Sequence, residues 1–279
     1  MQNIRTDLAA EAQRLWRRGN TALEGVVVRD ETLHGLPVLA VQIENSAGAE
    51  ALGKACGQYY ALTLPAHPTR GSAGFPDAVE ALAELLRRCM PREPASVLVA
   101  ALGNPDITPD ALGSLAAGNI LVTRHLKEQS PEDFRAFSSL ALCRPGVLGT
   151  TGLESAAQVA MLCRELHPAL VIAIDALAGC EAEGLCRTVQ VSDAGVAPGS
   201  GVGNDRLELS EESLGVPVVS VGVPTVIDAG FLGSEAKNLF VTPRDIDSRV
   251  RESARVIACA VNRAVHPQIS LGEIEALIG

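Results

Sequence analysis

Apolar residues recur along this chain in two patterns. Leucines and alanines at helical spacing predict helices over residues 8–18, 75–90, 108–118 and 153–166, and a long one over 243–265. Several ends are marked. Arg87-Arg88 suits a helix carboxyl terminus, Thr242-Pro243 reads as an N-cap followed by proline in the first turn, and Ser130-Pro131-Glu132 reads as a helix start. Ser270 with Glu273 three residues on predicts a capping box and a last helix. Short apolar runs predict strands at 24–29, 36–44, 57–64, 97–102, 120–123, 140–143, 170–175, 187–192 and 216–223, the first two joined by a turn at His34-Gly35. Residues 65–74, rich in Pro, Gly, Thr and Ser, read as a loop. Alternation of this kind predicts an α/β fold, a mostly parallel twisted sheet with helices on both faces. No repeat or long linker divides the chain, so residues 1–279 are expected to form one domain.

Composition narrows the function classes. A hydrophobic fraction of 47% supplies a sizeable core, built from Ala, Val and Leu with only 3% aromatic residues. The formal net charge of −10 repels phosphate backbones and argues against direct nucleic-acid binding. Seven cysteines form no CxxC pair and read as reduced, buried thiols. The polar start, Met1-Gln2-Asn3-Ile4-Arg5, is no signal peptide, and no apolar run is long enough to span a bilayer. A soluble, cytoplasmic protein is expected.

Two carboxylates carry the candidate chemistry. Asp175 ends the apolar run Val171-Ile172-Ala173-Ile174, and Asp110, in Thr108-Pro109-Asp110, follows the earlier apolar run at 97–102. In open α/β sheets ligands gather at the carboxyl ends of strands, where both residues are expected. Asp110 alone could merely complement a helix dipole with Thr108 as N-cap, and Asp175 could cap a turn. Together, two carboxyls in unequal environments suit activation of a water, one holding the proton and one not. A metal site would normally recruit a histidine or a third carboxylate; His125, Asp193 and Asp228 are present without metal-binding spacing.

The remaining motifs are weaker. Pro198-Gly199-Ser200-Gly201-Val202-Gly203-Asn204 lacks the spacing and lysine of a nucleotide loop, and Arg144-Pro145-Gly146-Val147-Leu148-Gly149-Thr150-Thr151-Gly152 reads likewise. Arg124-His125 could anchor a substrate or form a structural ion pair. No serine sits in a nucleophile elbow, and no cysteine has an evident histidine partner.

In order along the chain, Arg5-Thr6-Asp7-Leu8-Ala9, Thr108-Pro109-Asp110-Ala111-Leu112-Gly113, Val122-Thr123-Arg124-His125-Leu126, Ile172-Ala173-Ile174-Asp175-Ala176-Leu177, the glycine-rich loop at 198–204 and Gly222-Val223-Pro224-Thr225-Val226 resemble the germination protease family of spore-forming bacteria. The resemblance implies an endopeptidase that degrades small acid-soluble spore proteins in the spore core, by an atypical aspartic mechanism whose essential residues match Asp110 and Asp175. It also implies a zymogen that cuts itself. By position the bond is Asp7-Leu8, giving a propeptide of Met1 to Asp7. A homotetramer without cofactor, and a fold like that of hydrogenase maturation endopeptidases, follow from the same resemblance. Two departures stand out. The stretch between Asp228 and Leu239 is much shorter than in better-known members, and the propeptide is only seven residues.

On this reading Asp110 is the ionised general base and Asp175 the protonated partner. The rival readings are a metal-dependent maturation endopeptidase of the same fold, with both carboxylates as ligands, and a catalytically silent homologue that binds spore proteins without cutting them.

Overall fold

The computed structural model describes residues 6–19, 23–66, 68–92, 94–199, 207–233 and 239–279. Helix α1 (Ala9–Gly19) leads to a hairpin of β1 (Val26–Leu33) and β2 (Leu36–Ile43), then α2 (Ser46–Leu52), β3 (Gly57–Thr63) and α3 (Phe75–Cys89). Strand β4 (Ser96–Ala101) passes through a 3-10 turn at Thr108–Asp110 into α4 (Leu112–Ala117) and α5 (Arg124–Gln129). Next come β5 (Ser139–Cys143), α6 (Leu148–Thr151), α7 (Ser155–Leu166), β6 (Leu170–Gly179) and β7 (Thr188–Ser192). The chain closes with α8 (Glu211–Leu214), β8 (Val218–Asp228), β9 (Phe240–Val241), α9 (Ile246–Val265) and α10 (Leu271–Ile278).

Local chemistry explains several of these boundaries. His34 and Gly35 both take positive φ (48° and 78°), the two-residue turn whose twist matches a β-hairpin, and Leu33 pairs with Leu36 to close it. Asn45 accepts the N–H of Gly48 at 3.0 Å and starts α2, a helix that the sequence pattern did not reveal. The capping box at Ser270 and Glu273 is present as expected.

The strands form one sheet in the order β1-β2-β3-β7-β8-β6-β4-β5, with β9 on the end of β8. The α/β architecture stands, with parallel pairing confined to β8-β6-β4-β5. The other half is antiparallel, because β7 runs against both of its neighbours. Alternation along β6 sends Ile172 and Ile174 into the layer packed by α3, α4 and α9, and Val171 and Ala173 into the layer packed by α7. On the antiparallel half, α1 and α2 cover Val41, Ile43 and Tyr59.

Four sequence expectations change. Residues 120–123 are not a strand: Leu121 N–H donates to the Asn262 side chain at 2.9 Å and Thr123 N–H to Leu140 O at 3.0 Å, which steers the chain off the sheet into α5. Residues 130–132 start no helix but a run of turns. The expected helix at 108–118 is a 3-10 turn followed by six helical residues. Thr242 does not cap α9; its hydroxyl donates to Thr225 O at 2.9 Å, and the helix starts at Ile246 after Asp245.

Candidate active site

Asp175 lies within β6 rather than at its end. Strand β4 stops opposite Ile174, where Ala101 is its partner, while β6 and β8 continue side by side to Gly179 and Ile227. Asp175 is therefore the first β6 residue past the end of β4, and it is 4% exposed. Its Oδ1 accepts the N–H of Ala176 at 3.0 Å.

Register aligns four residues across the sheet: Ala61 of β3, Gln190 of β7, Gly222 of β8 and Asp175 of β6. Paired residues point to the same face, so the side chains of Gln190 and Asp175 rise on either side of a glycine. A methyl group on Gly222 would come within 2.6 Å of the Asp175 carbonyl oxygen and 2.8 Å of Leu177. This bare row forms part of the lining of a cleft of about 250 Å³, to which Asp7, Lys54, Tyr59, Asp175, Gln190 and Glu208 contribute. Burial pushes the Lys54 ammonium below its ordinary value, opposed by the charges of Asp7 and Glu11.

Asp110 is set on the loop that leaves β4. Gly103, at φ 94°, lets that loop fold so tightly that a Cβ there would lie 2.0 Å from the Asp110 carbonyl oxygen. Asn104 N–H donates to Asp110 Oδ2 at 2.8 Å, a contact that favours the ionised carboxylate. The buried Thr225 hydroxyl donates to Pro109 O at 2.7 Å, tying the 3-10 turn to β8, and the turn packs against β6 and β8. Asp110 thus precedes α4 instead of standing in its first turn. The two aspartates come from adjacent parallel strands and the same end of the sheet; Asp175 lines the cleft described above, and Asp110 is not among its lining residues.

The segment ahead of α1 enters this cleft. Asp7 N–H donates to Ala178 O at 2.8 Å, and Ala178 N–H returns to Asp7 Oδ2 at 2.8 Å. The Gln190 carboxamide spans the next residues: Nε2 donates to Asp7 O at 3.0 Å and Oε1 accepts Ala9 N–H at 2.8 Å. Glu11, 1% exposed, accepts the Thr6 hydroxyl (2.5 Å), Cys180 N–H (2.7 Å) and Glu181 N–H (3.3 Å). Asp7 is thereby fixed in a cleft that also contains Asp175, while Leu8 is fully buried and its N–H donates to the Thr6 hydroxyl at 3.2 Å.

Gln190, Glu11 and Lys54 were not singled out by sequence reasoning. Gln190 alternates with Val189 and Val191 as any strand residue with a polar face would, and Glu11 and Lys54 stand among ordinary surface-type residues. Only tertiary contacts distinguish them.

The weaker candidates take structural roles. Asp193 accepts Gln58 N–H at 2.7 Å, and Asp228 caps the short turn after β8 through Gly230 N–H at 2.8 Å. Arg124 pairs with Glu128 at 3.1 Å, while His125 is exposed on α5. Among the described residues no group of three or more His, Cys, Asp and Glu side chains gathers in a way that could hold a metal ion. Residues 200–204 of the glycine-rich loop lie outside the described residues. In the other glycine-containing stretch, Val147–Gly152 form a short helical turn tied to α7 by Gln158. The seven cysteines are free thiols. Among the described residues no helix is long and apolar enough to cross a membrane.

Comparison with known proteins places the chain among the peptidases. The family model described as germination protease matches residues 4–237. A germination protease of Clostridium perfringens is 34% identical over an alignment of 331 positions that covers 100% of both chains, so the relative carries residues this chain lacks. That of Caldanaerobacter subterraneus subsp. tengcongensis is 35% identical, covering 99% of this chain and 98% of the relative. The chain belongs to the germination protease family. Among solved structures, the NiFe hydrogenase maturation protease HycI from Thermococcus kodakarensis KOD1 is similar over 64% of this chain and 97% of its own, with 20% identity and a TM-score of 0.35.

Proposed function

We propose that this chain is an endopeptidase that begins the breakdown of small acid-soluble spore proteins in the spore core during germination, and that it is made as a self-processing zymogen. Asp110 and Asp175 are the catalytic pair, working without a cofactor. Asp110 in its ionised form takes a proton from a water, whose oxygen bonds to the carbonyl carbon of the scissile peptide. Asp175 in its protonated form supplies a proton as the C–N bond breaks, so that a carboxyl and an amine leave and the pair exchanges roles. Because the two carboxyls act as a unit, their titration belongs to the pair. The self-processing bond is Asp7-Leu8, and the active form assembles as a homotetramer.

One observation carries this reading. Asp7, whose carbonyl belongs to the Asp7-Leu8 bond, lines the same cleft as the buried carboxyl of Asp175 and is bonded to Ala178, three residues further along the same strand. A peptide held by its main chain beside a buried acid is presented as a substrate would be. Support for Asp110 comes from its position on the neighbouring strand's loop and from the N–H that Asn104 donates to it.

Incubation of the purified chain with a small acid-soluble spore protein tests the activity. Fragments cut after acidic residues are expected from the parent, and none from Asp110→Asn or Asp175→Asn. An intact substrate together with a parent chain that also keeps residues 1–7 would favour the silent, spore-protein-binding homologue instead. Sizing the processed chain by light scattering tests the tetramer.

A further inference from the structure

Gln190 is a buried neutral amide, 7% exposed, in a cleft whose charged lining residues are Asp7, Lys54, Asp175 and Glu208. Its two contacts straddle one residue: Nε2 to the carbonyl oxygen of Asp7 and Oε1 to the N–H of Ala9. Turning the amide over would set donor against donor and acceptor against acceptor, so the network fixes its orientation. It stands in the same row as Asp175, and only Gly222 lies between them. At the usual strand spacing their Cα atoms are roughly 10 Å apart, which leaves room for one peptide unit over the bare glycine.

We infer that Gln190 is a catalytic residue that binds the oxygen of the carbonyl under attack, and that its Oε1 fixes the peptide by the N–H two residues downstream. This rests on the reading that Asp7-Leu8 is the bond cut. As water adds to the Asp7 carbonyl carbon, negative charge grows on the oxygen that Nε2 already faces. A donor mounted on a strand meets that charge without reorganising. Gln190 forms no covalent bond and neither gains nor loses a proton. A cationic side chain in its place would pair with the acids of the cleft, whereas an amide donates and leaves their protonation alone. Both contacts are to main-chain atoms, one of them at the first residue of α1, so the same grip serves a substrate whatever its side chains.

The test follows loss of residues 1–7 from the full chain by mass spectrometry, in the parent, Gln190→Ala and Gln190→Glu, across pH 4 to 8, with thermal melts to verify folding. Glutamate keeps the shape, but its carboxylate cannot donate; its carboxylic acid can. Processing of Gln190→Ala is expected to slow about 100-fold to 1,000-fold at every pH relative to the parent. Gln190→Glu is expected to be as slow at pH 8 and to recover towards the parent rate as pH falls and the acid form accumulates. A merely structural glutamine would give two ratios that do not change with pH, and that result overturns the inference. A Gln190→Ala chain that processes within about threefold of the parent overturns it as well. If the parent itself keeps residues 1–7 under every condition, the assignment of the scissile bond has failed, and the role of Gln190 falls with it.

Discussion

Asp7 and Ala178 bond to each other twice, N–H to carbonyl oxygen and N–H to carboxylate, each at 2.8 Å. The carboxylate contact means that the acidic side chain is recognised by main chain, and Lys54 supplies charge of opposite sign in the same cleft. Asp7→Leu would lose the side-chain half of this recognition and leave the main-chain half. Its self-processing is expected to fall by about tenfold or more, the equivalent of a charge-assisted hydrogen bond of roughly 1.5–3 kcal/mol. Asp7→Glu should retain part of the rate. Equal rates for parent and Asp7→Leu, read by mass spectrometry of the amino terminus, would remove Asp7 from the recognition.

Glu11 fastens this segment from the other side, with the Thr6 hydroxyl and the N–H groups of Cys180 and Glu181 on one buried carboxylate. Glu11→Ala leaves those donors without this acceptor and is expected to cost about 3 kcal/mol or more. Denaturant unfolding measures the loss. Limited digestion with an added protease should then open α1 first, and an α1 as resistant as the parent's would count against this role.

Gly222 is the gap between Gln190 and Asp175. Gly222→Ala places a methyl group 2.6 Å from the Asp175 carbonyl oxygen. About 1–3 kcal/mol of stability should be lost through overpacking, a few degrees in melting temperature. Self-processing should fall further than stability does, because the methyl occupies the floor of the cleft. A folded, fully active Gly222→Ala chain would show that the row is not where peptide sits.

His266 sets a pH limit on stability away from the cleft. It is fully buried; its Nδ1 accepts Ser138 N–H at 3.1 Å, and Phe137 packs edge-on against it. Burial pushes its pKa down to about 4, with Lys127 adding to the effect. The folded pKa lies below the unfolded one, so the unfolded chain takes up the proton first. The contribution is therefore complete above about pH 6.5 and is lost as pH falls towards 4, on the order of 3 kcal/mol in all. Unfolding free energies measured across this window should decline in the parent, and His266→Leu, although less stable, should lack this part of the slope.

Much of the fold could be read from pattern, because strands such as residues 170–174 are purely apolar and α10 carries its own capping box. What could not be read is tertiary in origin. The run at 120–123 looks like a strand, yet Leu121 bonds the Asn262 side chain and only Thr123 reaches strand β5, at Leu140, so no ladder forms. Strand β6 runs past Asp175 because β8 keeps pairing with it, so the aspartate that closes the apolar run does not close the strand. Asp110 and Asp175 were legible as strand-associated acids at one end of a sheet. Gln190 and Glu11 were not, since a buried glutamine or glutamate is indistinguishable in sequence from one on a surface until its partners, 180 or so residues away, are known.

The central claim is that Asp110 and Asp175 cut Asp7-Leu8. Mass spectrometry of the amino terminus, on the parent, Asp110→Asn and Asp175→Asn incubated side by side at mildly acidic pH, measures it most directly. The parent should lose residues 1–7, and both variants should stay whole while melting as cooperatively as the parent. Loss of the same seven residues from either folded variant would contradict the assignment.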